Sequence, residues 1–344
     1  MHIQEAIDRL GFGAFQRRLF LVCGVTWAVD AAEIFLLSFA LPGITEEFRL
    51  NPTVAGLVVT SSFLGMLIGA WFWGVMADRI GRRLGFQLTI AIFAGFGLAS
   101  AFAPNVVWLV VLRAITGFGL GGALPLDFSL FAEYLPSHNR GRWLVLLESW
   151  WAAGTAIAAG LAVLIMPTLG WRWLLATSAV AGVLVFWVRL QVPESARYLL
   201  SQGQPDRARE LLAQVARVNG APLPTQQITL PPGRGKAGVG ELLSGALRRT
   251  TITLWAGWFL IAFGYYGIFT WLPKIFAEQY GFLSSYQYVF FLVLAQIPGY
   301  FSAAWLVDRW GRKPVLATYL AASAVATFLW AGADSTAWVL PPPR

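Results

Sequence analysis

Apolar positions in this chain gather into nine long stretches, at roughly 19–42, 53–77, 84–103, 106–134, 143–166, 171–190, 251–273, 285–307 and 314–333. A helix rising about 1.5 Å per residue crosses a hydrocarbon core of about 30 Å with some twenty such residues, so each stretch predicts a membrane-spanning helix. The first run is too long for the apolar core of a cleaved signal peptide and lacks a small-residue cleavage site, so it is expected to stay as an anchor. The polar positions concentrate in one long loop, 191–249. Within it, Ala208, Leu211, Leu212, Val215 and Val218 recur on one face of a short helix over 205–219, which Asn219-Gly220 stops. Pro222, Pro224, Pro231 and Pro232 follow with little apolar content, the composition of a linker. The pattern predicts an all-α membrane protein with a six-helix bundle at 1–190, a loop at 191–249 and a three-helix segment at 251–344.

Composition narrows the class. With 57% hydrophobic and 12% charged residues and a mean hydropathy of +0.63, the chain has too little polar surface for water and is expected to sit in a lipid bilayer. The net charge of +8 resides in short loops and forms no continuous basic stripe, which argues against nucleic acid. One cysteine, Cys23, makes no intrachain disulfide. His2 and His138 are terminal and loop residues, and no serine, cysteine or metal-ligand cluster has catalytic spacing, so no enzyme, metal or cofactor is expected. Gly117-x-Gly119-x-x-Gly122 imitates a dinucleotide fingerprint, but it lies inside an apolar run with no preceding strand. Those glycines, like the Gly65/Gly69 pair, are expected to let helices approach closely.

One charged phrase occurs twice: Asp78-Arg79-Ile-Gly81-Arg82-Arg83 and Asp308-Arg309-Trp-Gly311-Arg312-Lys313, each between two apolar runs. Two helix pairs thus share one hairpin, as in transporters built from parallel repeats. With the N-terminus in the cytoplasm, 20 of the 25 Lys and Arg fall on the cytoplasmic side, which sets the expected orientation.

Together with Arg113-x-x-x-Gly117, Glu133-x-x-Pro136-x-x-x-Arg140-Gly141 and Pro193-Glu194-Ser195, these hairpins resemble the major facilitator superfamily. The resemblance is to its sugar-porter and synaptic-vesicle-protein-like branch. Asp30-Ala-Ala-Glu33, Leu124-Pro-Leu-Asp127 and Tyr265-Tyr266-Gly-Ile-Phe-Thr-Trp271 are similar to bacterial metabolite:proton symporters of that branch, which includes nicotinate carriers. The resemblance implies two six-helix bundles around a central cavity, with the second one incomplete here. A C-terminally truncated product or fragment, or a chain completed by another polypeptide, is the expectation. It also implies that Asp308 and Arg312 lack the Glu and Arg that they pair with beyond a tenth helix.

The charges themselves suggest two sites. Asp78, Arg82, Arg83, Glu133, Arg140, Glu194 and Arg197 lie at helix ends on one face, where pairing and unpairing would make a cytoplasmic gate. Asp30, Glu33, Arg113, Asp127 and Glu148 lie within the apolar runs, where a charge costs about 2.5–3.5 kcal/mol on insertion scales and is expected to face a cavity or a partner. Asp30 and Glu33, at i and i+3, share a helix face, where two carboxylates resist double ionisation and one would carry a proton. Asp127 is a second proton-site candidate. Arg113, 14 residues earlier in the same helix, stands roughly 21 Å away and is not its direct partner. Tyr265, Tyr266 and Gln296 would line a pocket for a planar solute, with Trp271 at the membrane interface.

The reading is a secondary transporter of a small organic metabolite, such as an aromatic or carboxylic acid, working by alternating access with Asp30, Glu33 or Asp127 taking the proton. Arg113 would attract an anionic group. The expected location is a bacterial inner membrane, with solute and protons as partners and no obligate protein partner evident. A uniporter and a non-transporting membrane scaffold are the alternatives.

Overall fold

In the computed structural model, which describes residues 1–190, 192–230, 242–245 and 247–332, the apolar runs are helical. In chain order the helices are α1 (Ile3–Leu10), α2 (Ala14–Glu47), α3 (Pro52–Ile80), α4 (Arg82–Ser100), α5 (Val106–Glu133), α6 (Arg140–Arg189) and α7 (Ala196–Ser201). There follow α8 (Pro205–Asn219), α9 (Leu247–Phe269), α10 (Leu272–Tyr280), α11 (Phe282–Leu294), α12 (Gln296–Trp310) and α13 (Arg312–Gly332). Among the described residues, seven segments are long and apolar enough to cross a membrane. One of them, 140–184, holds two of the expected runs, separated where Gly170 adopts φ +78° inside α6. α13 occupies the ninth run.

Local chemistry sets the boundaries. The Asn51 side chain accepts the Val54 N–H at 2.9 Å with Pro52 in the first turn of α3, and Asn105 accepts the Trp108 N–H at 3.1 Å to open α5. The duplicated phrase has a duplicated backbone. Gly81 between α3 and α4 has φ 96°, ψ 153°, and Gly311 between α12 and α13 has φ 84°, ψ 166°, a conformation that a side chain would strain. Two of the runs are interrupted. The seventh, expected over 251–273, breaks at Thr270–Trp271 and resumes as α10 to Tyr280, because Pro273 has no N–H to continue the ladder. The eighth divides at Ala295, three residues before Pro298.

α2 lies along α6, α3 along α5, and α4 bridges α5 and α6, while α11 and α12 pack on α6. Phe35, Phe39, Phe86, Phe93, Leu120 and Leu174 form the buried interior. The Tyr286 hydroxyl of α11 donates to the Phe39 carbonyl of α2 at 3.2 Å. On the outside, Leu67, Trp71 and Leu164 are 69%, 72% and 74% exposed, the inverse of a water-soluble surface and suited to acyl chains.

A second core sits at the Arg-rich end. Ile3, Ile7 and Leu10 of α1 join Leu212 and Val215 of α8 and Ile228 beyond it. The Ile3 N–H donates to the Thr229 carbonyl and the Thr229 N–H to the Met1 carbonyl, both at 3.0 Å. The segment after α8, expected to be a linker too polar to pack, is therefore tied down as far as residue 230: backbone pairing with residues 1–3 and burial of Ile228 compensate for its low apolar content. Pro231 and Pro232 fall outside the described residues, as does 333–344. Asp8 of α1 receives the Ser137 N–H at 2.7 Å and its hydroxyl at 3.0 Å. Burial works to raise its pKa, but these bonds, with Gln4 and the charge of Arg140, hold the carboxyl below its ordinary value.

Candidate functional site

Close helix contact brings the buried charges together. A Cβ on Gly65 or Gly69 of α3 would stand 2.0 and 2.1 Å from the carbonyl oxygens of Ala114 and Phe118 of α5. One on Gly117 or Gly121 of α5 would stand 2.0 and 2.1 Å from those of Ser62 and Met66 of α3. The fingerprint-like glycines are contact points, as close packing in lipid requires. One turn before Gly117, the Arg113 Nη1 donates to Glu33 Oε1 of α2 at 3.1 Å, and both side chains are 1% exposed. Ser178 of α6 and the backbone at Gly97 of α4 close over the same carboxylate. Glu33 Oε2 has no hydrogen-bond partner among the described residues.

Asp30 and Asp127 are both fully buried. Asp127 accepts the Thr26 hydroxyl at 2.6 Å, linking α5 to α2 a little over one turn from Asp30. Glu148 of α6, a residue near the start of its helix, is partly buried and faces Trp27, within Coulombic range of the Tyr265, Tyr266 and Tyr300 hydroxyls.

An aromatic cluster spans the helices around it. Trp151 Nε1 donates to the Tyr265 hydroxyl at 2.9 Å, and that hydroxyl donates to Gln296 Oε1 at 3.4 Å. The Trp151 ring lies edge-on to Trp27 and Phe35, each at 6.3 Å, and to Tyr266 at 6.4 Å. Phe63 of α3 meets Tyr266 at 5.0 Å. Such a group offers π faces with hydroxyl and amide rims, a surface for a flat ring. Trp271 packs beside Leu41, Ala55 and Val59 at the far end of α2 and α3.

At the Arg-rich end, Arg82 reaches Asp78 at 3.4 Å and Glu133 at 3.6 Å. Glu194 accepts the N–H groups of Arg82 and Arg83, capping α4, while Glu133 holds the Ser195 hydroxyl. Arg83 Nη2 donates to the Leu190 carbonyl at 2.9 Å. Arg140 and Arg197 both donate to Gln4 Oε1, at 2.6 and 3.3 Å. Arg312 reaches over Gly141 at the start of α6, and Asp308 is exposed with no ion pair among the described residues. Glu194→Ala is expected to cost about 1–2 kcal/mol, the loss of a helix cap. Asp78→Ala, removing a mostly exposed partner, should stay within about 1 kcal/mol. Thermal unfolding of the two variants in detergent measures the difference, and equal losses would contradict the capping role.

The sequence did not single out Thr26, Ser62, Trp27, Trp151, Ser178, Thr270 or Tyr300. Thr26 lies four residues before Asp30 and so on its face, which was a readable signal. Trp27 and Trp151 stand three residues from Asp30 and Glu148, Ser62 three before Gly65, and Thr270 and Tyr300 four after Tyr266 and Gln296, so they were readable in the same way; Ser178 enters the site only through packing.

A model of the Major Facilitator Superfamily matches residues 20–342. The niacin transporter NiaP of Acinetobacter baylyi is 40% identical over 338 residues, 97% of this chain and 77% of that protein. The synaptic vesicle 2-related protein of Xenopus laevis is 34% identical over 340 residues, 92% of this chain and 61% of that one. Among solved structures, the proton:xylose symporter XylE bound to 6-bromo-6-deoxy-D-glucose aligns with a TM-score of 0.70 at 20% identity, covering 88% of this chain and 71% of its own. That likeness speaks for the fold. The paired hairpins, the helical bundle with its apolar exterior and these matches make the chain a member of the major facilitator superfamily, an integral membrane protein of the transporter class and not an enzyme.

Proposed function

We propose that the chain carries a small organic acid, aromatic in the simplest case, across a bacterial inner membrane together with a proton. The N-terminus would be cytoplasmic, and 1–190 and 251–332 would rock about the site between them. The carrying observation is the Glu33–Arg113 pair, buried with one carboxylate oxygen that has no hydrogen-bond partner among the described residues. In low dielectric an ion pair is tolerated because it is neutral as a unit. A proton on Glu33 would leave Arg113 an uncompensated cation, and an entering anion would restore neutrality. A proton and an anionic solute therefore favour each other's binding, the thermodynamic requirement for symport. Arg82, Glu133, Glu194 and Ser195 at the cytoplasmic end would latch the closed state and separate in the inward-open one. That a relative is named a niacin transporter makes nicotinate the first solute to try.

The test is accumulation of labelled nicotinate in proteoliposomes under an imposed proton gradient. Uptake above the external concentration that collapses with a protonophore is expected. Equilibration indifferent to the protonophore would assign a uniporter, and binding without flux a non-transporting scaffold.

A further inference from the structure

Beside Arg113 lies a small, partly open cavity, lined also by Ser38, Ser62, Phe63 and Thr270, with about 10 Å³ for the centre of a water-sized sphere. That is room for one oxygen atom. Three polar side-chain atoms among its lining residues have no hydrogen-bond partner among the described residues: Arg113 Nε, Ser62 Oγ and Thr270 Oγ1. Their residues are 1%, 8% and 3% exposed. Unpaired polar groups at such depth are costly, and three in one cavity imply an occupant that satisfies them.

We infer that Arg113, Ser62 and Thr270 form the subsite for one carboxylate oxygen of the solute, a deepening that rests on the organic-acid reading above. The chemistry of the set argues for this atom. The Arg113 Nε–H can only donate, and both hydroxyls can donate, so the complement is an acceptor with several lone pairs, which a carboxylate oxygen provides. The surroundings suit the rest of an aromatic acid. Phe63, on the cavity wall, meets the Tyr266 ring, and the Thr270 N–H bonds to the Tyr266 carbonyl at 3.1 Å, so the polar hole opens beside the aromatic cluster. Too small for a ring, the hole takes the oxygen while the ring rests on Tyr266 and its neighbours.

The subsite also spans the two parts of the chain. Arg113 and Ser62 belong to α5 and α3, whereas Thr270 stands at the break between α9 and α10. Its three residues line one cavity only while 251–280 rests against the first bundle, so a bound carboxylate would favour the closed arrangement and transmit its presence to the broken helix.

Binding to purified protein in nanodiscs, read by tryptophan fluorescence, tests this with nicotinate, benzoate and the neutral nicotinamide. Thr270→Val keeps the shape and removes the hydroxyl; Thr270→Ser keeps the hydroxyl. The valine variant is expected to bind both acids about 10-fold more weakly, the size of a lost hydrogen bond to a charged group, while nicotinamide changes less than about 2-fold and serine restores the acids. Ser62→Ala should act in the same direction. A Thr270→Val protein that binds the acids as tightly as wild type, or loses acid and amide equally, or is not rescued by serine, overturns the subsite alone. A wild-type protein that binds neither acid overturns the organic-acid reading together with it.

Discussion

Gly117→Ala is expected to destabilise the protein by on the order of 2–3 kcal/mol, at the upper end of overpacking costs, and Gly117→Leu to leave no folded bundle. The new Cβ would stand 2.0 Å from the Ser62 carbonyl oxygen, a backbone atom with no rotamer to change, so α3 and α5 would have to separate along their length. Lipid makes this worse, since no hydrophobic force between helices compensates for lost contact. The effect would extend to the site. Ser62, whose backbone Gly117 touches, moves away from Arg113 as the helices part. Gly160→Ala is the control: nothing lies within 4 Å of its Cβ position, and a helical glycine in open space should gain up to about 1 kcal/mol from alanine. Thermal unfolding of both variants in one detergent decides the matter, and equal stabilities would contradict the packing account.

The second large effect comes from unbalancing the buried ion pair. Removing one partner of such a pair costs about 3–5 kcal/mol, because the survivor is left charged without compensation. The two single variants should nevertheless differ. Glu33→Gln leaves Arg113, a cation that does not neutralise. Arg113→Met leaves Glu33, which sheds its charge by taking a proton. Unfolding measured near neutral pH should therefore show a smaller loss for Arg113→Met than for Glu33→Gln. Combining the two, Glu33→Gln with Arg113→Met, should recover much of the stability of either single variant while giving no proton-coupled transport. Equal losses in the two singles would contradict the unequal cost of a lone cation and a lone acid.

How far the sequence foretold this follows from the kind of interaction involved. The helical character of the apolar runs and the repeated hairpin were legible because apolar length and a charged Asp-Arg-x-Gly phrase are local properties; Gly81 and Gly311 share one backbone conformation as their shared phrase implies. The breaks at Thr270 and Ala295 were missed because a run of apolar residues reports composition and not hydrogen-bond continuity. Pro273 and Pro298 carried that information. α1 and the packing of 221–230 depend on each other across more than 200 residues, beyond the reach of periodicity. Within the site, spacing paired Glu33 with Asp30, whereas the Glu33 contact that the structure supplies is Arg113, 80 residues away. Ser62 and Thr270 were missed for a different reason. Hydroxyls in apolar helices commonly bond back to their own backbone, as Ser61, Thr89 and Thr116 do here. Only the cavity reveals two that do not.

The account turns on Glu33 as the group whose protonation couples solute to proton, and one measurement reaches it directly: nicotinate-dependent proton flux into proteoliposomes holding wild-type protein or Glu33→Gln, with solute exchange followed in the same vesicles. Wild type should take up protons with nicotinate. Glu33→Gln should still exchange nicotinate between the two sides while moving no protons and accumulating none. A Glu33→Gln protein that still drives proton-coupled accumulation would contradict the account.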